Sequence, residues 1–241
     1  MLNKQKGIFT MAKLPVLRRL LKLVHPEAMK GPAAALYKAI SSTAIFQRHY
    51  ELAAKDVLSY CSQGVLLDIG TGPAWLLLKI QRQSPAMRLV GIDSSPAMLA
   101  EARKNISAVG LEDAIEIKEG NAGNIPFPDE FFDIVISTAS VHHWKEPTVC
   151  FNEAYRVLKK GGFALIYDIV SDTPKSILEQ MGREYGRLKL FLFWLHNFEE
   201  PFYSRENFEK LADETLFKKM QSGFVGLLYC LVLKKEAMKD K

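Results

Sequence analysis

Three short stretches of this 241-residue chain carry side chains that could do chemistry. The first is Val65-Leu66-Leu67-Asp68-Ile69-Gly70-Thr71-Gly72-Pro73-Ala74-Trp75, an apolar run that opens into a glycine-bearing turn and then a helix. Glycines at 70 and 72 permit positive φ and let a ligand approach the backbone closely. Amides at the start of the following helix would point at that ligand. Such a turn can hold a dinucleotide, a phosphate or an adenosyl amino acid. A nicotinamide-dinucleotide loop needs a third glycine three residues after the second, and Trp75 stands there instead. Asp68 argues in the same direction, because a carboxylate in the loop repels pyrophosphate and attracts an ammonium group. No Gly-Lys-Ser/Thr follows, which excludes a P-loop. The second stretch, Gly91-Ile92-Asp93-Ser94, ends another apolar run on a carboxylate. The third, Ser140-Val141-His142-His143-Trp144, offers an imidazole able to take up a proton near neutral pH. Each has a plainer reading: Asp68 and Asp93 as helix caps, and one imidazole capping a helix at Pro147 above a packed Trp144.

The elements that must position these groups follow from apolar patterning. Val65–Ile69, Arg88–Ile92, Ile115–Glu119, Phe132–Ser137 and Phe163–Ile169 read as buried strands. Ala74–Gln83, Pro96–Val109 and Pro147–Leu158 read as helices between them. Strands and helices alternating at this pitch imply βαβ units and a parallel sheet covered on both faces. After Asp172 the rhythm changes: 174–200 looks helical with an aromatic group at Phe191, Phe193, Trp194 and Phe198, and Ser204 caps a helix over Tyr203–Asp213. Two last runs, Leu216–Gln221 and Leu227–Leu233 around Ser222-Gly223, predict a terminal hairpin. At the other end, Leu14–Val24 has the spacing of an amphipathic helix, and a second helical stretch covers about Ala33–Tyr60. The expected fold is therefore α/β, a doubly wound and mostly parallel sheet with a C-terminal antiparallel hairpin. A helical extension or cover at 1–60 precedes the main domain at 61–241, whose helical insertion spans about 172–205.

Composition narrows the function classes. Hydrophobic residues make up 48% of the chain and charged ones 24%, which suits one sizeable core rather than disorder. The longest apolar stretches are too short to cross a bilayer, and no signal peptide is visible, so a cytoplasmic protein is expected. Cys61, Cys150 and Cys230 are widely spaced and form no CxxC pair, which predicts reduced thiols and no metal site. The net charge of +5 is uneven: residues 1–60 hold ten Lys or Arg against Glu27, Glu51 and Asp56. The basic Leu14–Val24 helix is thus a candidate for peripheral membrane contact, or simply a solvated face.

The order of motifs over residues 65–170 resembles class I, Rossmann-like, S-adenosylmethionine-dependent methyltransferases, in particular the subgroup that includes quinone-biosynthesis enzymes. The resemblance rests on the Asp68–Gly72 loop, Asp93-Ser94, Ser95-Pro96-Ala97-Met98-Leu99, Glu119-Gly120-Asn121-Ala122, Asn124–Asp129, Phe132-Asp133-Ile134-Val135 and Arg156–Gly162. It departs at Ala74, near a usual glycine, at Asn121, often Asp, and at Lys160, often Pro. It implies S-adenosylmethionine as cofactor, with S-adenosylhomocysteine as product. It also implies cofactor contacts from Asp68, Gly70, Thr71, Gly72, Asp93, Ser94, Met98, Asn121, Ala122 and Thr138, with Asp93 on the ribose hydroxyls and Asn121-Ala122 near adenine. His142 falls where the family faces the transferred methyl group and is the candidate catalytic residue. The acceptor is expected to be a small or medium-sized molecule accepting on O, N or C, with no nucleic acid as partner. Two rivals share parts of the pattern: a nicotinamide-dependent oxidoreductase, and a non-catalytic binder of the cofactor acting through a partner protein.

Overall fold

Residues 43–186 and 202–236 of the computed structural model are described below. The Leu14–Val24 helix and the aromatic group at 191–198 lie outside these residues. In chain order the elements are α1 (Ala44–Tyr60), β1 (Gly64–Ile69), α2 (Trp75–Gln83), β2 (Met87–Asp93), α3 (Pro96–Ser107), β3 (Ile115–Glu119) and β4 (Phe132–Thr138). A 3-10 turn at Val141–His143 follows, then α4 (Pro147–Val157), β5 (Leu158–Asp168), α5 (Lys175–Tyr185), α6 (Arg205–Asp213), β6 (Lys218–Val225) and β7 (Leu228–Lys234).

The seven strands form one sheet in the order β3-β2-β1-β4-β5-β7-β6. β1 to β5 are mutually parallel, and β7 runs antiparallel between β5 and β6. Alternation along each strand feeds two cores, one on each face. Leu66, Ile134, Ile136, Leu165 and Tyr167 pack with α1, α2 and α3. Leu67, Val135, Ala164 and Ile166 pack with α4 and α6. A strand buried on both faces cannot show polar alternation, which is why these runs read as continuously apolar. Asp56 on α1 accepts a hydrogen bond from the Tyr167 hydroxyl at 2.7 Å, tying that helix to β5.

Chain reversal of the sheet order occurs between β1 and β4, and at such a switch point the carboxyl ends of the strands leave a crevice for a ligand. The loops carrying all three chemistry-bearing stretches emerge at this edge. Most element ends shift by one to four residues from the sequence reading, and two departures have a clear physical cause. β5 begins at Leu158, before Gly161-Gly162, because a register shift against β4 absorbs the glycines within the strand. The hairpin does not turn at Ser222-Gly223: Gly223 pairs with Cys230, and the chain reverses at Gly226, where φ is +66°. Gly226 has the left-handed backbone that a tight reversal demands, whereas Gly223 sits in an exposed strand that tolerates it.

Candidate cofactor site and the histidine turn

The glycine loop after β1 is wired to its neighbour strand by main-chain groups. Gly70 and Thr71 both donate to the Ile92 carbonyl, at 2.9 and 3.0 Å. Gly72 donates to Asp93 Oδ2 at 2.9 Å, while Ser95 donates to Asp93 Oδ1 at 2.8 Å. Gly120, just past β3, donates to the Asp93 carbonyl at 3.1 Å. Asp93 is thus the joint of three loops. The N-cap of α3 is Ser95, whose hydroxyl accepts from Met98 N, so the helix-cap reading of Asp93 does not hold.

Backbone conformation in the loop explains its residue types. Gly70 has φ +74°, and a Cβ there would lie 2.5 Å from Ser140 Oγ on the neighbouring turn. Ala74 also adopts a left-handed conformation, φ 62° and ψ 23°, immediately before α2. A non-glycine residue pays strain in that region, which accounts for glycine being usual near this position in the motif.

Asp68 is 2% exposed. Its Oδ1 has no hydrogen-bond partner among the described residues, and neither do the buried hydroxyls of Thr71 and Thr138. Burial pushes the Asp68 carboxyl up to about 7, the Thr71 hydroxyl opposes this, and the charge of Asp93 adds to it. Burial also raises Asp93, while the amides of Ser95, Gly72 and Ser94 hold it down. Buried polar atoms are normally satisfied, so the Asp68 oxygen and the Thr138 hydroxyl, with Thr71 close to Asp68, are candidates for bonding a ligand. A carboxylate beside two hydroxyls fits a group that brings both a positive charge and hydrogen-bonding functions.

Other residues from the motifs occupy distinct roles. Ser94 is exposed at the crevice rim, and Met98 is buried in the first turn of α3. Asn121 accepts from Gly123 N through Oδ1 at 2.7 Å, closing its own turn, and Ala122 is half-buried beside it. The loop that continues from this turn is held by Arg156, which donates to the carbonyls of Ile125 and Phe127 and pairs with Asp129 and Glu153. Among the described residues no cluster of His, Cys, Asp and Glu could hold a metal, and no helix is long and apolar enough to cross a membrane.

Beyond β4 the chain bends through Ala139, φ +51°, into the turn that carries His142. His142 does not cap α4. Its Nδ1 lies 2.9 and 3.0 Å from the two oxygens of Asp168, the last residue of β5, and its main-chain N–H donates to the same carboxylate at 3.1 Å. Phe202 meets the imidazole edge-on at 4.7 Å between ring centroids. The Trp144 indole donates to Ser140 Oγ at 2.9 Å and packs edge-on against Phe151, so the expected packing of Trp144 beneath the turn is present. Sequence reading missed Asp168. Its only signal there was a carboxylate ending an apolar strand, as Asp93 does.

With this geometry in view, comparisons with known proteins are consistent along the whole sheet. A family model described as a methyltransferase domain matches residues 67–166. The arsenite methyltransferase of Halobacterium salinarum is 34% identical over 110 residues, which is 45% of this chain and 28% of that protein. The demethylmenaquinone methyltransferase of Thermus thermophilus is 35% identical over 120 residues, 50% of this chain and 53% of that one. The chain therefore spans from about a quarter to about half the length of these curated relatives. A crystal structure from Methanococcus maripaludis, assigned to the S-adenosylmethionine-dependent methyltransferases, superposes with a TM-score of 0.68 at 26% identity, covering 89% of this chain and 96% of its own. Residues 67–166 match the methyltransferase-domain family, and the sheet they help build has the fold of the class I, S-adenosylmethionine-dependent methyltransferases.

Proposed function

We propose that this protein transfers a methyl group from S-adenosylmethionine to a small or medium-sized acceptor. The observation that carries this reading is the buried Asp68 carboxyl at the start of a glycine loop, with one oxygen that no described residue satisfies, a combination that suits an amino-acid ammonium and opposes a pyrophosphate. Asp68, Thr71 and Thr138 would hold the amino-acid end, with Gly70 and Gly72 leaving room for it. Asp93 would accept from ribose hydroxyls through the lone pairs its amide donors leave over. Ser94, Met98, Asn121 and Ala122 would border the adenosine. When bound, the cofactor supplies an already activated, electrophilic methyl group. The chain's own work is to align the acceptor, exclude water and manage a proton. His142 is the candidate for the last task.

The segments at 1–60 and 172–205 are proposed as the cover over the acceptor, with the domain proper at 61–241. Phe202 against His142 and Asp56 against Tyr167 support that arrangement from its two sides. Relatives named for arsenite and demethylmenaquinone support a small-molecule acceptor over a nucleic acid. A cytoplasmic location belongs to the same proposal. An oxidoreductase is disfavoured by Asp68 and Trp75 in the loop. The test is calorimetry with S-adenosylhomocysteine, NAD and ATP, followed by turnover with methyl-labelled donor. Binding of the adenosyl ligand alone is expected, and tight NAD binding without it would overturn the reading. Binding without any turnover across acceptor classes would favour a non-catalytic binder.

A further inference from the structure

The two halves of α1 hold to the rest of the protein in different ways. The lower half is bound to β5: Asp56 accepts from the Tyr167 hydroxyl at 2.7 Å, and the Tyr60 ring lies 5.4 Å from that of Phe163. The upper half meets the turn between β6 and β7, which stands at the crevice end of the sheet because Tyr229, just after it, pairs with Asp168. There the contact is the edge of one imidazole. A Cβ on Gly226 would lie 2.8 Å from His49 Cδ2 and 3.0 Å from its Nε2, so ring and turn pack with no room for a side chain between them.

His49 is 4% exposed. Its Nδ1 lies 2.6 Å from the Ile45 carbonyl oxygen one helical turn back, and a carbonyl only accepts. The proton of the neutral ring therefore sits on Nδ1, and Nε2 turns a bare lone pair to the packed edge. That nitrogen has no hydrogen-bond partner among the described residues. Protonation would add both an N–H and a charge there, which is far harder to bury than a lone pair. Burial is the largest influence on His49 and holds it below the ordinary histidine value of 6.5; the Ile45 carbonyl and the charge of Glu184 on α5 pull the other way, and Arg48 adds to the lowering. Glu184 is itself engaged by the Tyr185 hydroxyl at 2.7 Å and by Arg48 Nε at 4.0 Å. Tyr185, pushed up to about 12 by burial and then by Glu184, stays protonated. The turn itself, Val225-Gly226-Leu227-Leu228, carries no titratable side chain.

We propose that His49 is a proton-sensitive latch: its neutral ring closes the upper half of α1 onto the turn between β6 and β7, and its protonation releases that half while the Asp56–Tyr167 bond keeps the lower half docked. The latch lies on the segment proposed as acceptor cover, but it does not depend on what the crevice binds. A histidine held low in the fold withdraws stability as pH falls. Below 6.5 the released ring takes a proton that the docked ring refuses, and the penalty on docking grows until the folded value is passed. The latch is therefore closed in mild alkali and opens on the acid side of neutrality.

The test uses the full chain without ligand. Long-range ¹H–¹⁵N spectra of ¹⁵N-histidine protein, with the His49 signal identified by its loss in His49→Asn, should show an Nδ1–H ring at about pH 8 that titrates below 6.5. Backbone hydrogen exchange, corrected for its intrinsic pH dependence, should show protection at Tyr50, Leu52 and Ala53 falling at least about tenfold between about pH 8 and about pH 5, while Leu165 and Leu231 keep theirs. His49→Asn can still donate to the Ile45 carbonyl but cannot titrate, and His49→Leu does neither; in both, protection at those α1 amides should stay level over the same range. An Nε2–H ring in wild type, a titration at or above 6.5, or the same pH dependence in wild type and both variants overturns the proposal. So does protection lost evenly across α1 and the sheet, which is global unfolding rather than release of one helix end. Calorimetry with S-adenosylhomocysteine is a separate readout: absence of binding would remove the methyltransferase reading and leave the latch standing.

Discussion

The Gly72 amide donates to the Asp93 carboxylate at 2.9 Å, so the glycine loop after β1 and the acidic end of β2 form one hydrogen-bonded unit. A side chain proposed to read the ribose therefore also shapes the loop that receives the rest of the cofactor. Replacing Asp93 with Ala strips the acceptor from Gly72 N and Ser95 N, and each orphaned amide costs roughly 1–3 kcal/mol. Affinity for S-adenosylhomocysteine should fall at least about tenfold, with a clear drop in melting temperature. Asp93→Asn, which keeps one carbonyl oxygen, should lose affinity while retaining more of the stability. Equal stability of Asp93→Ala and wild type would show that the loop does not lean on this carboxylate.

Asp68 makes stability and binding respond to pH in opposite directions. Burial pushes its folded-state value up to about 7, above the ordinary aspartate value of 3.8. Between those values the folded protein holds a proton that the unfolded chain has released, so stability declines as pH rises from about 4 to about 7. The full penalty, at most about 4 kcal/mol, applies above that window. Asp68→Asn should consequently stabilise the ligand-free protein at pH 8 and change little at pH 4. The adenosyl ligand, by contrast, should bind wild type more weakly as pH falls through 7, because its ammonium needs the ionised carboxylate. Denaturant melts of both proteins at pH 4 and 8, beside calorimetry across pH 5–8, check both slopes.

Gly70→Ala should unseat the histidine turn as well as strain the loop. The new methyl group would lie 2.5 Å from Ser140 Oγ and 2.8 Å from Ser140 Cβ, on a backbone with φ +74°. A loss of about 1–3 kcal/mol in stability is expected, together with loss of adenosyl-ligand binding. Ser140→Gly in the same chain should recover part of both losses, although the strain at φ +74° remains. Strict additivity of the two substitutions would mean that the loop and the turn are not in contact.

Arg156→Lys should loosen residues 125–129 without touching the sheet. The guanidinium satisfies the Ile125 and Phe127 carbonyls together with Asp129 and Glu153, and a lysine ammonium cannot span that fork. Glu153 in turn accepts from Ile125 N, and it is held low chiefly by Arg156. Hydrogen exchange at Ile125 N should speed up markedly in Arg156→Lys, with a stability loss of about 1–2 kcal/mol. Unaltered exchange there would mean that Glu153 keeps its place alone.

What could be read from the sequence was what depends on near neighbours. β3 was placed at Ile115–Glu119, and Ser204 was recognised as the cap of α6, where its hydroxyl accepts from Asn207 N. The glycine loop and Asp93 were legible because a backbone turn and a strand end leave local marks. Asp168 was not, since its tie to His142 spans 26 residues and exists only through the parallel register that sets Thr138 beside Tyr167. The hairpin turn was misplaced because β6, Lys218–Val225, is an edge strand with little apolar rhythm to date its end. Ala74 shows the converse: a departure from the family motif that looked neutral in sequence proves to be a residue held left-handed.

The antiparallel β7 has a consequence for how this protein comes into being. Phe163–Asp168 acquires its second neighbour only when Leu228–Lys234 slots in beside it, some sixty residues later in the chain. A polypeptide emerging from the ribosome therefore completes the cofactor loop early but carries β5 with one bare, apolar edge until nearly the last described residues are made. Long-range pairing of this kind is slow, and an open edge invites pairing with other chains. Shortening the chain before Leu228 would spare every residue of the donor crevice and still yield a product prone to aggregate, with Asp168, on which His142 leans, left on a bare strand edge.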